Sequence, residues 1–169
     1  MDRRELQRRN HPKPGSSIKV DPIRNLEDIA RIKRLLINNP RDLCLFTLGI
    51  NTAYRANELL SLTVGQVSHL NVGDRLDLKQ SKNRKYRPVR LNKAAMNSIR
   101  GWLEHHPDPQ PQMPLYVSSR GSSPLCVSSF IHLVKNWCAH IGLYGNYGSH
   151  SLRKTWGFQQ RIQENTPIP

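Results

Sequence analysis

From Leu26 the apolar residues Ile29, Ala30, Ile32, Leu35, Leu36 and Ile37 recur at steps of three and four, which predicts an amphipathic helix. Asn25 stands at its N-cap, with Glu27 and Asp28 in the first turn where carboxylates suit the helix dipole. Pro40 is placed to open a second helix, and Leu43, Cys44, Phe46, Leu48 and Ile50 make that helix apolar nearly all round, the mark of a buried element. A third, short helix is predicted over 55–62. The texture then changes: 67–70, 75–79 and 86–90 read as short strands, separated by turns at 71–73 and 81–85. Asn92 caps a helix running to about His105, and the Pro-rich stretch 106–114 is a surface loop. A short strand at 115–117 and a turn around Gly121 follow. Ser128 is predicted to cap a helix carrying Ile131, Val134, Trp137, Cys138 and Ile141. After a flexible link at 142–148, a last helix starts near Ser149 and reaches about Gln163.

The sum is an α+β fold, mainly helical, with a small three-stranded antiparallel sheet in the middle. Residues 1–24 are polar, basic and broken by Pro12, Pro14 and Pro22, so they read as a flexible basic arm ahead of one domain, 25–169. The three tryptophans, Trp102, Trp137 and Trp156, sit on helical stripes and are assigned to the core.

Charge narrows the function. Twenty-six Lys and Arg against twelve Asp and Glu leave a net charge of +14, which points to a polyanionic partner, above all nucleic acid. Residues 79–100 alone hold eight Lys or Arg and no acid. No apolar run approaches a membrane span, and the basic N-terminus lacks the apolar stretch of a secretory signal. Three cysteines, Cys44, Cys126 and Cys138, with no CxxC, argue against a disulfide framework or zinc ribbon. That predicts a reduced, cytoplasmic setting, nucleoid-associated in a bacterium. His69, His105, His106, His132 and His140 show no ligand spacing, so no metal and no cofactor are assigned.

Three segments carry candidate chemistry. They are Thr52-Ala-Tyr-Arg55-Ala-Asn-Glu58-Leu, the hairpin Leu78-Lys-Gln-Ser-Lys82-Asn-Arg-Lys-Tyr-Arg-Pro-Val-Arg90, and His150-Ser-Leu-Arg153-Lys-Thr155. Two arginines can hold one phosphodiester by bidentate bonds to its non-bridging oxygens, and their charge stabilises the pentacoordinate transition state. A lysine on a hairpin tip can protonate a leaving oxygen. His150 and Arg153, three apart, share one helix face, where a histidine can hydrogen-bond the phosphate or move a proton near neutral pH. Taken singly each segment has a plain explanation: Arg55 as the salt-bridge partner of Glu58, Lys82 as a solvated hairpin lysine, His150 as a structural histidine.

In this order and at these separations the segments resemble the catalytic domain of the tyrosine recombinase (phage integrase) family over roughly residues 25–163. The resemblance implies that Arg55 and Arg153 clamp the phosphate, that Lys82 is the general acid (Lys85 if the hairpin register is shifted), that His150 is the motif histidine and that Glu58 braces Arg55. Lys79, Arg84, Lys85, Arg87 and Lys154 are the expected DNA-backbone contacts, and double-stranded DNA the expected partner. Two positions depart mildly from the family pattern: Ala53 stands where Gly is frequent, and Ser151 where Asp is frequent.

A larger departure concerns the nucleophile. The family places a second His or Trp, then a tyrosine that forms a covalent 3′-phosphotyrosine, beyond the His-x-x-Arg motif. No tyrosine follows Tyr147 in this sequence. These residues are therefore expected to be inactive alone in strand cleavage, as a C-terminally incomplete catalytic domain. A full-length recombinase, or a fragment, would be the partner supplying the tyrosine. Two other readings stay open at this stage: a non-catalytic DNA-binding regulator, and a general basic nucleic-acid-binding protein whose motifs are accidental.

Overall fold

The computed structural model describes residues 19–79, 86–119 and 123–163, with the backbone alone at Lys79, Tyr86, Arg87 and Gln163. In chain order the helices are α1 (Leu26–Leu35), α2 (Pro40–Thr52), α3 (Ala56–Leu60) and α4 (Val64–Val67). Strands β1 (Arg75–Lys79) and β2 (Tyr86–Arg90) follow, and then α5 (Lys93–Leu103), α6 (Val127–His140) and α7 (Ser149–Gln163). Among the described residues no helix is long and apolar enough to cross a membrane.

Helix α2 is the centre of the fold because its sequence gives it no polar face. Cys44, Leu45, Phe46 and Leu48 are all fully buried, and α5 and α7 pack against it. The local start signals act as expected: the side chains of Asn25 and Asn92 accept from Glu27 and Ala95 backbone N–H groups, and Pro40 opens α2, where Asn39 adds a cap by accepting from Asp42 N–H. Where α7 crosses α2, Gly49 meets Leu152. A Cβ at position 49 would lie 2.5 Å from Leu152 Cδ1 and 3.1 Å from its Cβ, so the missing side chain sets how closely the two helices approach.

Three local expectations are corrected. Among the described residues the antiparallel sheet has two strands, not three, with Arg75 opposite Arg90 and Lys79 opposite Tyr86. The stretch 67–70 instead closes α4, whose start is a capping box between Thr63 and Gln66, and whose Val64 and Val67 are buried at helical spacing. The expected strand at 115–117 is reduced to single bridges, Thr63 to Pro114 and Val117 to Pro124, because a proline at each bridge has no N–H to extend a ladder. Helix α6 is preceded by Cys126, not Ser128; Ser128 lies in its first turn, with its hydroxyl 3.1 Å from Cys126 Sγ.

Residues 19–24, expected as part of a flexible arm, are a strap laid along α7. Asp21 N–H donates to Asn146 O at 2.7 Å, Ile23 N–H to Thr155 Oγ1 at 2.8 Å, and Ile23 is 1% exposed. Lys154 Nζ donates to Val20 O and Gln159 Nε2 to Arg24 O. Backbone groups that a free arm would leave to water are satisfied by side chains of the last helix and by Asn146 just ahead of it.

Candidate nucleic-acid interface

The site is built where the end of α2, the start of α3 and one face of α7 meet. Helix α2 stops at Ala53, which takes the left-handed conformation (φ 54°, ψ 19°) although it carries a side chain. The chain turns there, and the next residue, Tyr54, is buried with its hydroxyl donating to Leu76 O of β1 at 2.9 Å. Arg55 follows as the N-cap of α3. Its own cap comes from Glu58, which is 3% exposed: Oε2 accepts from Arg55 N–H at 2.6 Å, and Oε1 accepts from Arg55 Nη1 at 3.0 Å. One carboxylate thus caps the helix and orients the guanidinium.

Helix α7 brings the second half. Gly148 N–H donates to Ser151 Oγ at 3.1 Å, so the fully buried Ser151 reaches back over the first turn as an acidic residue would, without a charge. His150 is exposed at that end, and Arg153 lies half-buried one turn on. Arg55, His150 and Arg153 line one cavity of about 1080 Å³, together with Ala53. Its remaining wall is the strap, through Lys19, Val20, Pro22 and Arg24, and the continuing face of α7, through Lys154, Trp156, Gly157, Phe158 and Arg161. Among the described residues no acid lines it.

Lys154 reaches the rim but spends its ammonium on the strap. Lys82, Arg84 and Lys85 lie outside the described residues, and Lys79 and Arg87 are placed by backbone alone, at the end of the paired strands where Lys79 stands opposite Tyr86. Trp156, assigned to the core from its helical stripe, is half-buried and lines the cavity instead, because the face that it shares opens to the site. Trp102 and Trp137 are core, the first donating to Leu115 O, the second edge-on to Phe46.

Sequence reasoning missed Lys19, Arg24, Phe158 and Arg161. Helical spacing held the signal for Arg161, since 150, 153, 157 and 161 run along one face of a helix. Nothing local marks Lys19 or Arg24.

The described tyrosine side chains lie elsewhere. Tyr116 is buried with its hydroxyl 3.5 Å from Cys44 Sγ, and burial pushes its pKa well up. Tyr144 and Tyr147 line a different cavity, with Lys135 and Cys138, and burial raises the pKa of Tyr147. Among the described side chains no tyrosine lines the arginine cavity. Nor, among the described residues, do three His, Cys, Asp or Glu gather as a metal-binding group.

Comparison with known proteins fits this arrangement. Residues 23–163 match the phage integrase family, a span holding Arg55, Glu58, His150 and Arg153. The chain belongs to that family. It is 34% identical over 148 residues to the probable integrase/recombinase YoeC of Bacillus subtilis (strain 168), across 86% of this chain and 78% of that protein. Among solved structures, XerA recombinase superposes with a TM-score of 0.71 at 15% identity, over 91% of this chain and 54% of that one. The XerH site-specific recombinase bound to its difH substrate gives 0.68 at 19% identity, over 96% and 52%. The chain therefore shares the catalytic-domain fold of the phage integrase family and spans about half the length of those two recombinases.

Proposed function

We propose that the cavity holds the backbone of double-stranded DNA and that the chain is the phosphate-clamping portion of a site-specific recombinase. One observation carries this reading: Arg55 and Arg153, about a hundred residues apart in sequence, line one cavity with His150, and among the described residues no acid lines it. Two guanidiniums facing one space repel each other unless an anion joins them. A phosphodiester offers two non-bridging oxygens for two forks, and the attraction grows as charge gathers on those oxygens in the pentacoordinate state.

The chemistry follows from the family. A tyrosine oxygen attacks phosphorus, the bond to the 5′-oxygen breaks, and that oxygen takes a proton from Lys82 at the hairpin. His150 hydrogen-bonds the phosphate or relays the tyrosine proton. Because no described tyrosine lines the cavity, the nucleophile is supplied by another segment or a partner, such as a full-length recombinase.

Affinity for duplex DNA across a salt series tests the clamp. Binding falls steeply with salt, and Arg55→Ala and Arg153→Ala each weaken it without altering base preference. Salt-independent binding overturns the reading. A nicked or phosphorothiolate duplex that traps covalent phosphotyrosine tests the nucleophile: these residues alone form no adduct, and one formed through Tyr54, Tyr86, Tyr116, Tyr144 or Tyr147 refutes its external origin.

A further inference from the structure

We propose that the arginine cavity is a two-phosphate site, in which Lys19 and Arg24 on the strap, with Arg161 of α7, hold the phosphodiester next to the clamped one on the same DNA strand. The proposal rests on the phosphate-clamp reading and adds a second subsite to it.

One phosphodiester carries a single negative charge, and Arg55, Arg153 and His150 supply the donors that its two free oxygens can take. Glu58 already pairs with Arg55, and Lys154 is committed to Val20 O. Lys19, Arg24 and Arg161 are left lining the same cavity, and among the described residues none of the three has an acidic partner. The nearby Asp21 does not line the cavity; its carboxylate accepts from Asn146 N–H. Gathering three more cations beside the clamp raises the folded chain's self-repulsion, which a second phosphate would relieve.

The strap's backbone, which carries Lys19 and Arg24, is held in place. It is tied at Lys19 O by Asn146 Nδ2, at Val20 O, at Asp21 N–H, at Ile23 N–H and at Arg24 O. The Arg24 guanidinium lies 5.9 Å from the centre of the Phe158 ring, a cation–π contact that fixes its direction toward α7. A solvated tail would need none of these ties. Fixing the donors in advance lowers the entropy lost when a phosphate arrives.

The test uses the full chain and a mixed-sequence DNA duplex, with log affinity measured against log salt. The double variant Lys19→Ala, Arg24→Ala is expected to make the slope shallower by about 0.9, the share of one phosphate contact. Lys19→Arg with Arg24→Lys is expected to restore it. Gln159→Ala removes the tie at Arg24 O and no charge, so it separates a placed subsite from loose attraction. Weaker binding by this variant supports the proposal. Unchanged binding overturns it, as does an unchanged slope in the double alanine variant while Arg55→Ala still lowers it; the clamp then stands alone. If Arg55→Ala also leaves the slope unchanged, the clamp reading fails and the second subsite falls with it.

Discussion

Glu58 holds Arg55 at both ends, its two carboxylate oxygens taking the backbone N–H and the guanidinium of the same residue. The carboxylate side chain is 2% exposed while the arginine's is 38% exposed, so the buried acid is the anchor and the cation faces outward into the cavity. Position, more than charge, is what this acid supplies.

Glu58→Gln separates the two. The amide keeps the shape and one acceptor, so the cap or the guanidinium bond survives but not both, at a cost of about 1–2 kcal/mol of stability. Removing a negative charge beside the cavity would by itself strengthen attraction for DNA. The expected outcome is weaker duplex binding despite the extra net positive charge, read by fluorescence anisotropy with unfolding followed in parallel. Stronger binding would show that the carboxylate acts only as a neutralising charge.

Ala53 predicts a gain. A side chain in the left-handed region costs roughly 1–2 kcal/mol, against about 0.8 kcal/mol for the buried methyl that Gly would give up. Ala53→Gly is therefore expected to stabilise the chain by about 0.5 kcal/mol and to raise the melting temperature by roughly 1–2 °C. Ala53→Val, with a branched side chain at the same φ, is expected to lower it, and calorimetry checks both.

The helix crossing predicts a coupled pair. Gly49→Ala forces its methyl into Leu152, whose side chain is 1% exposed and has nowhere to go. Overpacking of this kind costs about 1–3 kcal/mol, partly offset by about 1 kcal/mol of helix propensity. Because α7 carries His150 and Arg153, the displacement is expected to weaken DNA binding more than stability. Combining it with Leu152→Ala opens room for the methyl, so the double variant is expected to be less destabilised than the sum of the singles. Strict additivity in that cycle would place the strain elsewhere.

These relationships also show what could be read in the chain before folding. The starts of α1, α2 and α5 were legible because Asn25, Pro40 and Asn92 act on their own next few residues. The misread stretch 67–70 was legible too: Thr63 and Gln66 form a capping box, and Val64 and Val67 are spaced for a helix, a stronger signal than Val67-Ser-His-Leu70 offers for a strand. The strap was not legible, since every tie holding residues 19–24 comes from 146–159, more than a hundred residues on. In the site, Arg55, His150 and Arg153 stood out through motif spacing, and Arg161 was reachable through helical periodicity. Lys19 and Arg24 became part of the cavity only through tertiary packing.

The fold treats its three thiols in opposite ways. Cys44 is fully buried and Cys138 largely so, and burial pushes both up to about 12. Cys126 is exposed ahead of α6, where the hydroxyls of Ser128 and Ser129 lie 3.1 Å from its sulfur and bring its pKa down to about 7. The thiolate is the nucleophile, so its population, and with it the alkylation rate, climbs as pH rises through about 7. Iodoacetamide is expected to modify Cys126 alone in the folded chain, with a rate that is half-maximal near pH 7 and levels off above pH 8. Ser128→Ala with Ser129→Ala removes the hydroxyl donors and is expected to move that midpoint upward. Mass spectrometry after timed quenching locates the label, and prompt modification of Cys44 under folding conditions would show that the α2 core opens to solvent.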